Sequence, residues 1–312
     1  MIWENKRTVI LSDSEGSALR KTAAGTDSSC LGMTMRRRFL LRRNDGTIVN
    51  DRTFWGATVL IFICLLSFSF SLKKTKKFIP PGTVQITETF FADETEISNF
   101  VWCEYEWSVA AKYGVNSREH ISVLPDTLVW RDKLSYNEPY VQYYYRHPAY
   151  RDYPVVGVSY EQALAFCKWR TERVKAFWIM RTKKELNIEY RLPTKEEWEK
   201  ISFCVPGFFN NKGRNEKGKM QLNIISPIDS SITAAHLKNN ADVTAPVYSY
   251  WKSSFGLWNI FGNVAEMVSE KGICKGGSWR NRLEECRVGK DAEYTKPNAW
   301  LGFRCVCVVK NS

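Results

Sequence analysis

Histidine is nearly absent from this chain, with three in 312 residues. No C-x-x-C pair occurs either, so a zinc site has little to be built from, and Cys305-x-Cys307 alone does not make one. Nine cysteines are too sparse for a disulfide-dense mini-protein. Cys30 and Cys64 lie in the N-terminal arm, which leaves seven for the rest. The chain has no internal repeat, and it carries no DNA- or RNA-binding motif despite a net charge of +12. The most informative absence is local: residues 54–72 contain no charged side chain at all.

That segment explains the charge. Residues 1–53 hold ten Lys/Arg and six Asp/Glu, Lys73, Lys74, Lys76 and Lys77 follow the apolar run, and 78–312 carry a surplus of only four. Two thirds of the excess therefore flanks one apolar stretch, as a membrane anchor distributes charge. Nineteen residues at about 1.5 Å rise come close to the ~30 Å hydrocarbon thickness. A buried core helix would show a polar stripe, and this segment shows none. Arg36, Arg37, Arg38, Arg42, Arg43 and Arg52 outnumber the four following lysines, which places the N-terminus in the cytoplasm and the large domain outside. A cleaved signal peptide is the rival reading, since Ser67, Ser69 and Ser71 offer small residues near the end. A lipidated Cys64 fits less well, because it lies mid-segment behind bulky Ile63. The organisation read from this is a polar, basic tail (1–53), a transmembrane segment or signal anchor (54–72), a basic collar (73–78) and one domain (79–310).

Within the domain, 84–91 alternates weakly and reads as a strand. Ser98 caps a helix to about Tyr113 that turns Val101, Tyr105 and Val109 to one face, with Gly114 as its stop. Ser159 with Gln162, and Thr194 with Glu197, form capping boxes for helices reaching about Phe177 and Ser202. In the first of these, Leu164, Cys167 and Thr171 share a face. Residues 115–154 are aromatic-rich and irregular, and 206–242 read as a long loop. The domain is α+β with little regular structure, so its many Trp, Tyr and Phe must supply much of the packing.

Several strings then acquire a meaning together. They are Arg191-Leu192-Pro193-Thr194-Lys195-Glu196-Glu197-Trp198-Glu199, Gly256-Leu257-Trp258-Asn259-Ile260-Phe261-Gly262-Asn263-Val264-Ala265-Glu266-Met267, Lys275-Gly276-Gly277-Ser278-Trp279 and Leu301-Gly302-Phe303-Arg304-Cys305. In this order, across about 79–307, they resemble the formylglycine-generating-enzyme (sulfatase-modifying-factor) domain. The resemblance implies a C-type-lectin-like fold, preceded here by one transmembrane helix. A narrower likeness, in Leu124-Pro125-Asp126-Thr127-Leu128-Val129-Trp130-Arg131 and His147-Pro148-Ala149-Tyr150-Arg151-Asp152, is to the gliding-motility and type IX secretion lipoproteins of Bacteroidetes, which are envelope components.

The family's oxidases convert a substrate cysteine with O₂ and copper(I), held by two soft thiolates. Here the first ligand position, three after Ser278, is Asn281, and an amide cannot replace a thiolate for Cu(I). Cys286 reads two ways. Counted from Ser278 it falls at the second catalytic position; counted back from Cys305 it falls at a structural one. Cys274 is the other nearby sulfur. His120, His147 and His236 are isolated and read as surface or packing residues. The resemblance further implies disulfides Cys167–Cys305 and Cys204–Cys286, and a calcium site from Asn259, Gly262, Val264 and Glu266. An amide, two carbonyls at a glycine turn and a carboxylate are what calcium takes. The alternative is that Asn259 caps a turn and Glu266 pairs with an arginine. Arg304, if buried, needs partners for five donors, which carbonyls or Glu266 could provide.

The expectation is a single-pass cell-envelope protein with an extracytoplasmic, catalytically inactive sulfatase-modifying-factor domain used in assembly or binding to envelope partners, and linked to gliding-motility or type IX secretion-type machinery. Residues 115–153 are the first place to look for a partner surface, since exposed Tyr and Arg favour interfaces. Two alternatives stay open: a copper-dependent oxidase of protein cysteines using Cys286, and a lectin-like ligand-binding module.

Overall fold

The computed structural model describes residues 78–133, 136–205, 213–215, 217–225 and 243–310. The tail, the apolar segment and nearly all of the basic collar lie outside the described residues, as do His236 and most of the expected 206–242 loop. Among the described residues no helix is long and apolar enough to cross a membrane.

Among the described residues, two four-stranded sheets carry the domain. In the first, β1 (Thr83–Gln85), β2 (Phe90–Asp93), β8 (Val306–Val309) and β3 (Ile188–Arg191) pair antiparallel in that order. The pairing of β2 with β8 joins the start of the domain to its end. In the second, β6 (Ala292–Glu293), β5 (Ile273–Lys275), β4 (Ala265–Met267) and β7 (Leu301–Gly302) follow one another, and β4–β7 is parallel. The single strand expected over 84–91 is in fact a hairpin. Ile86 and Thr87 both donate their N–H to the carbonyl of Phe90, which turns the chain, so Val84 faces Ala92 across the pair.

The helices begin where their caps are. The side chain of Ser98 accepts from the N–H of Val101 and starts α1 (Asn99–Tyr113), and Gly114, at φ 99°, ends it. Short α2 (Arg118–Ser122) and α3 (Glu138–Tyr143) follow. Both capping boxes are formed, at Ser159–Gln162 for α4 (Tyr160–Thr182) and at Thr194–Glu197 for α5 (Lys195–Phe203). Each such cap is worth about 1 kcal/mol. Helix α4 runs past Phe177 because nothing breaks it until Lys183, which adopts the left-handed conformation at φ 58°. Its buried stripe is Ala163, Phe166 and Cys167, while Leu164 turns out to solvent.

Aromatic rings fill the core as the composition requires. Trp102 stacks on Phe166 at 5.4 Å between centroids and meets Tyr105 and Phe303 edge-on. A second cluster forms around Trp198, Ile260, Phe261 and Cys286, and a third around Trp130, Tyr144 and Val156. Rings of this size bury about 150–250 Å² each, which compensates for short strands.

Candidate functional site

The Gly276-Gly277-Ser278 turn shows why its residues are what they are. Both glycines have positive φ, 87° and 67°. A Cβ on Gly276 would lie 2.7 Å from the carbonyl oxygen of Ile260, and one on Gly277 would lie 2.3 Å from Sγ of Cys286. Cys286 is therefore packed directly against this turn. It is fully buried and its thiol donates to the carbonyl of Arg282. Burial, reinforced by Glu285 and Glu284, pushes that thiol up to about 12. Cys274 is also fully buried, donates to the carbonyl of Ala292, and is likewise pushed up to about 12 by burial. Metal binding and nucleophilic attack both need the thiolate, which these surroundings disfavour.

Asn281 closes the turn. Its side-chain oxygen accepts from both the N–H (2.9 Å) and the hydroxyl (2.7 Å) of Ser278. The Asn281 amide oxygen is thus spent on the backbone and the hydroxyl of Ser278. Outward from this turn, Trp279 and Arg280 border a cleft of about 800 Å³. Its other side comes from Asp126, Trp130, Arg131, Asn137 and Tyr140, within the aromatic-rich stretch expected to carry a partner surface, and Lys296 and Asn298 complete it. Trp130 stacks near Trp279, at 6.5 Å between centroids, and the Arg280 guanidinium lies over the Trp279 ring. Arg131 is held by Glu138 at 2.7 Å.

Beneath the turn lies a buried ionic core. Glu266 and Arg304 have no solvent exposure. Arg304 Nε donates to both Glu266 oxygens at 2.7 and 2.8 Å, Nη1 reaches the carbonyl of Asp93 (3.0 Å), and Nη2 reaches that of Trp258 (2.9 Å). Trp198 Nε1 donates to the same carboxylate at 2.8 Å. The Arg304 donors are thus matched by carbonyls and Glu266. Beside them, Asn263 donates to Glu96 at 2.9 Å while its oxygen accepts from Asn223 and from the N–H of Ala245. Asp93 pairs with Arg170 at 2.7 Å. Three buried carboxyls thus face two guanidiniums. Burial is the main cause that raises Glu96 from 4.5 to about 8; Arg304 and Asn263 oppose it, while Glu266 adds to it. Burial thus favours the protonated form of Glu96 over the carboxylate.

Asn259, Gly262, Val264 and Glu266 do not offer a calcium cage in this arrangement. The Glu266 carboxylate is already engaged by a guanidinium and an indole, and the Asn259 amide nitrogen donates to the carbonyl of Val247 and to Glu96. Gly262, at φ 79°, serves close packing: a Cβ there would lie 2.6 Å from the carbonyl oxygen of Asn223. The sulfurs of Cys167 and Cys305 lie 3.5 Å apart as thiols inside the core, and Cys204, also a thiol, packs against the cluster that contains Cys286. His120 is a packing residue. Its Nδ1 accepts from the N–H of Asn116, so Nε2 carries the proton and donates to Glu106 at 3.0 Å. Tyr145 and Arg146 also donate to Glu106, and these bonds outweigh the effect of burial and hold its carboxyl below the usual range. Exposed His147 caps a 3₁₀ turn.

Sequence reasoning missed Glu96, Asn223 and Asn263 as a network, and it missed Lys275, whose buried amine is held by Glu199 and Asp291. A signal was present for one of them. Asn263 follows Gly262, and an Asn beside a turn glycine is a candidate for the left-handed conformation it takes at φ 60°.

With the geometry in hand, the chain matches the family described as sulfatase-modifying factor enzyme 1-like domain over residues 61–309. It belongs to that family. Solved structures similar to it include Treponema denticola variable protein 1 (18% identity, 74% of this chain and 92% of that one, TM-score 0.38) and CarF (17% identity, 71% and 87%, TM-score 0.41). PvdO from Pseudomonas aeruginosa is another (18% identity, 51% and 63%, TM-score 0.31). No curated protein sequence matches the chain. The mixed helix-and-sheet domain agrees with the α+β expectation.

Proposed function

We propose that this chain is a membrane-anchored cell-envelope protein whose sulfatase-modifying-factor domain works by assembly and binding and not as a cysteine oxidase. The observation that carries the reading is Asn281. An amide stands at the first thiolate position, and its oxygen is engaged by Ser278. The burial of Cys286 and Cys274 points the same way. The charge-free run 54–72 between its Arg and Lys flanks supports the anchor, with the domain on the extracytoplasmic side. In that compartment disulfides are permitted, and the closeness of Cys167 to Cys305 supports a bridge there, with Cys204–Cys286 as the second pair. The narrower likeness to gliding-motility and type IX secretion lipoproteins supports an envelope protein as the partner. The reading assigns no calcium ion to Asn259, Gly262, Val264 and Glu266, because Arg304 holds the carboxylate.

The binding face is the cleft between Trp279–Arg280 and the side formed by Asp126, Trp130, Arg131, Asn137 and Tyr140. Arg280 is exposed there, so its replacement leaves the fold intact. The test is crosslinking in intact envelopes followed by purification in mild detergent. The expected result is a defined partner captured by the native chain and lost in Arg280→Glu. A chain recovered only as a monomer under every crosslinking condition would contradict the reading.

A further inference from the structure

The far end of helix α4 has a composition that the domain's packing does not explain. Its last turns expose Phe177 (51%), Ile179 (45%) and Met180 (63%) to solvent. Between Glu172 and Glu185 there is no acidic residue, but Arg173, Lys175, Arg181, Lys183 and Lys184 lie there. Lys183 and Lys184 are exposed just past the helix end, and Arg181 lies over the Phe177 ring. Apolar tips within a basic rim, on one projecting helix end, are unusual for a surface facing only water.

The position of this end supplies its meaning. Phe78, the first described residue, packs edge-on against Trp178 at 4.7 Å between centroids, and Ile79 beside it is 61% exposed. Leu72, the last residue of the apolar run, lies six residues before Phe78 in the sequence. Even a fully extended chain spans only about 20 Å over that interval. The helix end against which Phe78 packs is therefore tethered close to wherever residue 72 sits.

We propose that the C-terminal end of α4, with Ile79, rests on the surface of an anionic lipid bilayer. This rests on the reading of residues 54–72 as a membrane anchor. Phe177, Ile179 and Met180 enter the headgroup layer, and Arg181, Lys183 and Lys184 meet lipid phosphates, each basic group near such a surface contributing about 1 kcal/mol. Charge selects this occupant. A second copy of the same face would bring Arg181, Lys183 and Lys184 against their own counterparts. The contact would fix the orientation of the domain, so that the cleft is presented in a constant direction relative to the membrane.

The test uses the full chain with benzoylphenylalanine at Met180 or, as control, at Trp107, which is 71% exposed on a helix without a basic cluster. Each protein is reconstituted in phosphatidylcholine vesicles with or without phosphatidylglycerol, illuminated, and its adducts are weighed by mass spectrometry. Lipid adducts are expected at position 180 with phosphatidylglycerol, reduced roughly fivefold by Lys183→Glu with Lys184→Glu or by omitting the anionic lipid, and absent at 107. Adducts to a second copy, or equal lipid yields at 180 and 107, would overturn the proposal. Carbonate extraction reads the anchor separately. A chain stripped from the vesicles defeats the anchor reading and this contact with it. A chain that stays, with no lipid adduct at 180, defeats the contact alone.

Discussion

The buried ionic core and the cleft above it meet at the Gly276-Gly277-Ser278 turn, yet they are finished differently. Below the turn, Glu266, Arg304 and Trp198 answer one another donor for acceptor. Above it, Asn281 secures Ser278 by accepting from its hydroxyl and its N–H. The difference teaches which demand each motif residue meets. A glycine needed to clear Cys286, or an arginine needed to neutralise a buried carboxylate, is required by packing and electrostatics whatever the domain does. A thiolate at position 281 would be required only by copper chemistry, and on the proposed function that demand is absent.

The largest effect should come from breaking the core. Arg304→Met leaves the Glu266 carboxylate buried without its cation, at a cost of about 3–5 kcal/mol, measurable by urea denaturation. A loss below about 1 kcal/mol would mean that water reaches Glu266 and that the core is not closed.

Next is the titration of Glu96. Its carboxyl is raised from 4.5 to about 8, so between those values the folded chain holds a proton that the unfolded chain has released. Stability therefore falls as pH rises across that window, by roughly 3–5 kcal/mol in total, and levels off above it. Glu96→Gln should flatten the slope in denaturation series at stepped pH. Calcium should leave the native slope unchanged; a slope abolished by calcium would show an ion stabilising the carboxylate and would reopen Asn259, Gly262, Val264 and Glu266 as ligands.

A smaller effect separates packing from chemistry at the turn itself. Gly277→Ala combines positive φ with a Cβ 2.3 Å from Cys286 Sγ, and should cost about 1–3 kcal/mol. Adding Cys286→Ala removes the clashing sulfur and should restore part of that in thermal melts. Two penalties that simply add would show that Cys286 moves away from the glycine.

What could be read from the sequence was what is settled locally. Ser98, the Ser159–Gln162 box and the Thr194–Glu197 box each act within one helical turn, and all three helices start where those residues put them. The hairpin at β1–β2 was hidden because its turn residues carry no glycine or proline to mark it. The face of α4 was misjudged at Leu164 because both sides of that stripe are apolar, and only the approach of the core around Phe166 decides which is covered. The Glu96 network could not be seen at all, since Glu96 and Asn263 are separated by 167 residues. At the site, Asn281 could be singled out by its spacing from Ser278, but its hydrogen bonds to Ser278 could not. The closure of Cys286 against Gly277 could not be read either, because it depends on the three-dimensional return of the chain.

The most direct test of the central claim is a Cu(I) titration of the reduced full chain against a chromophoric chelator, run beside Cys286→Ser. With Cys286 buried and the Asn281 oxygen bound to Ser278, both proteins should leave the copper with the chelator and consume no O₂ with a thiol peptide. One tightly held Cu(I) per chain, lost in Cys286→Ser and accompanied by O₂ uptake, would contradict the account and make this domain an oxidase.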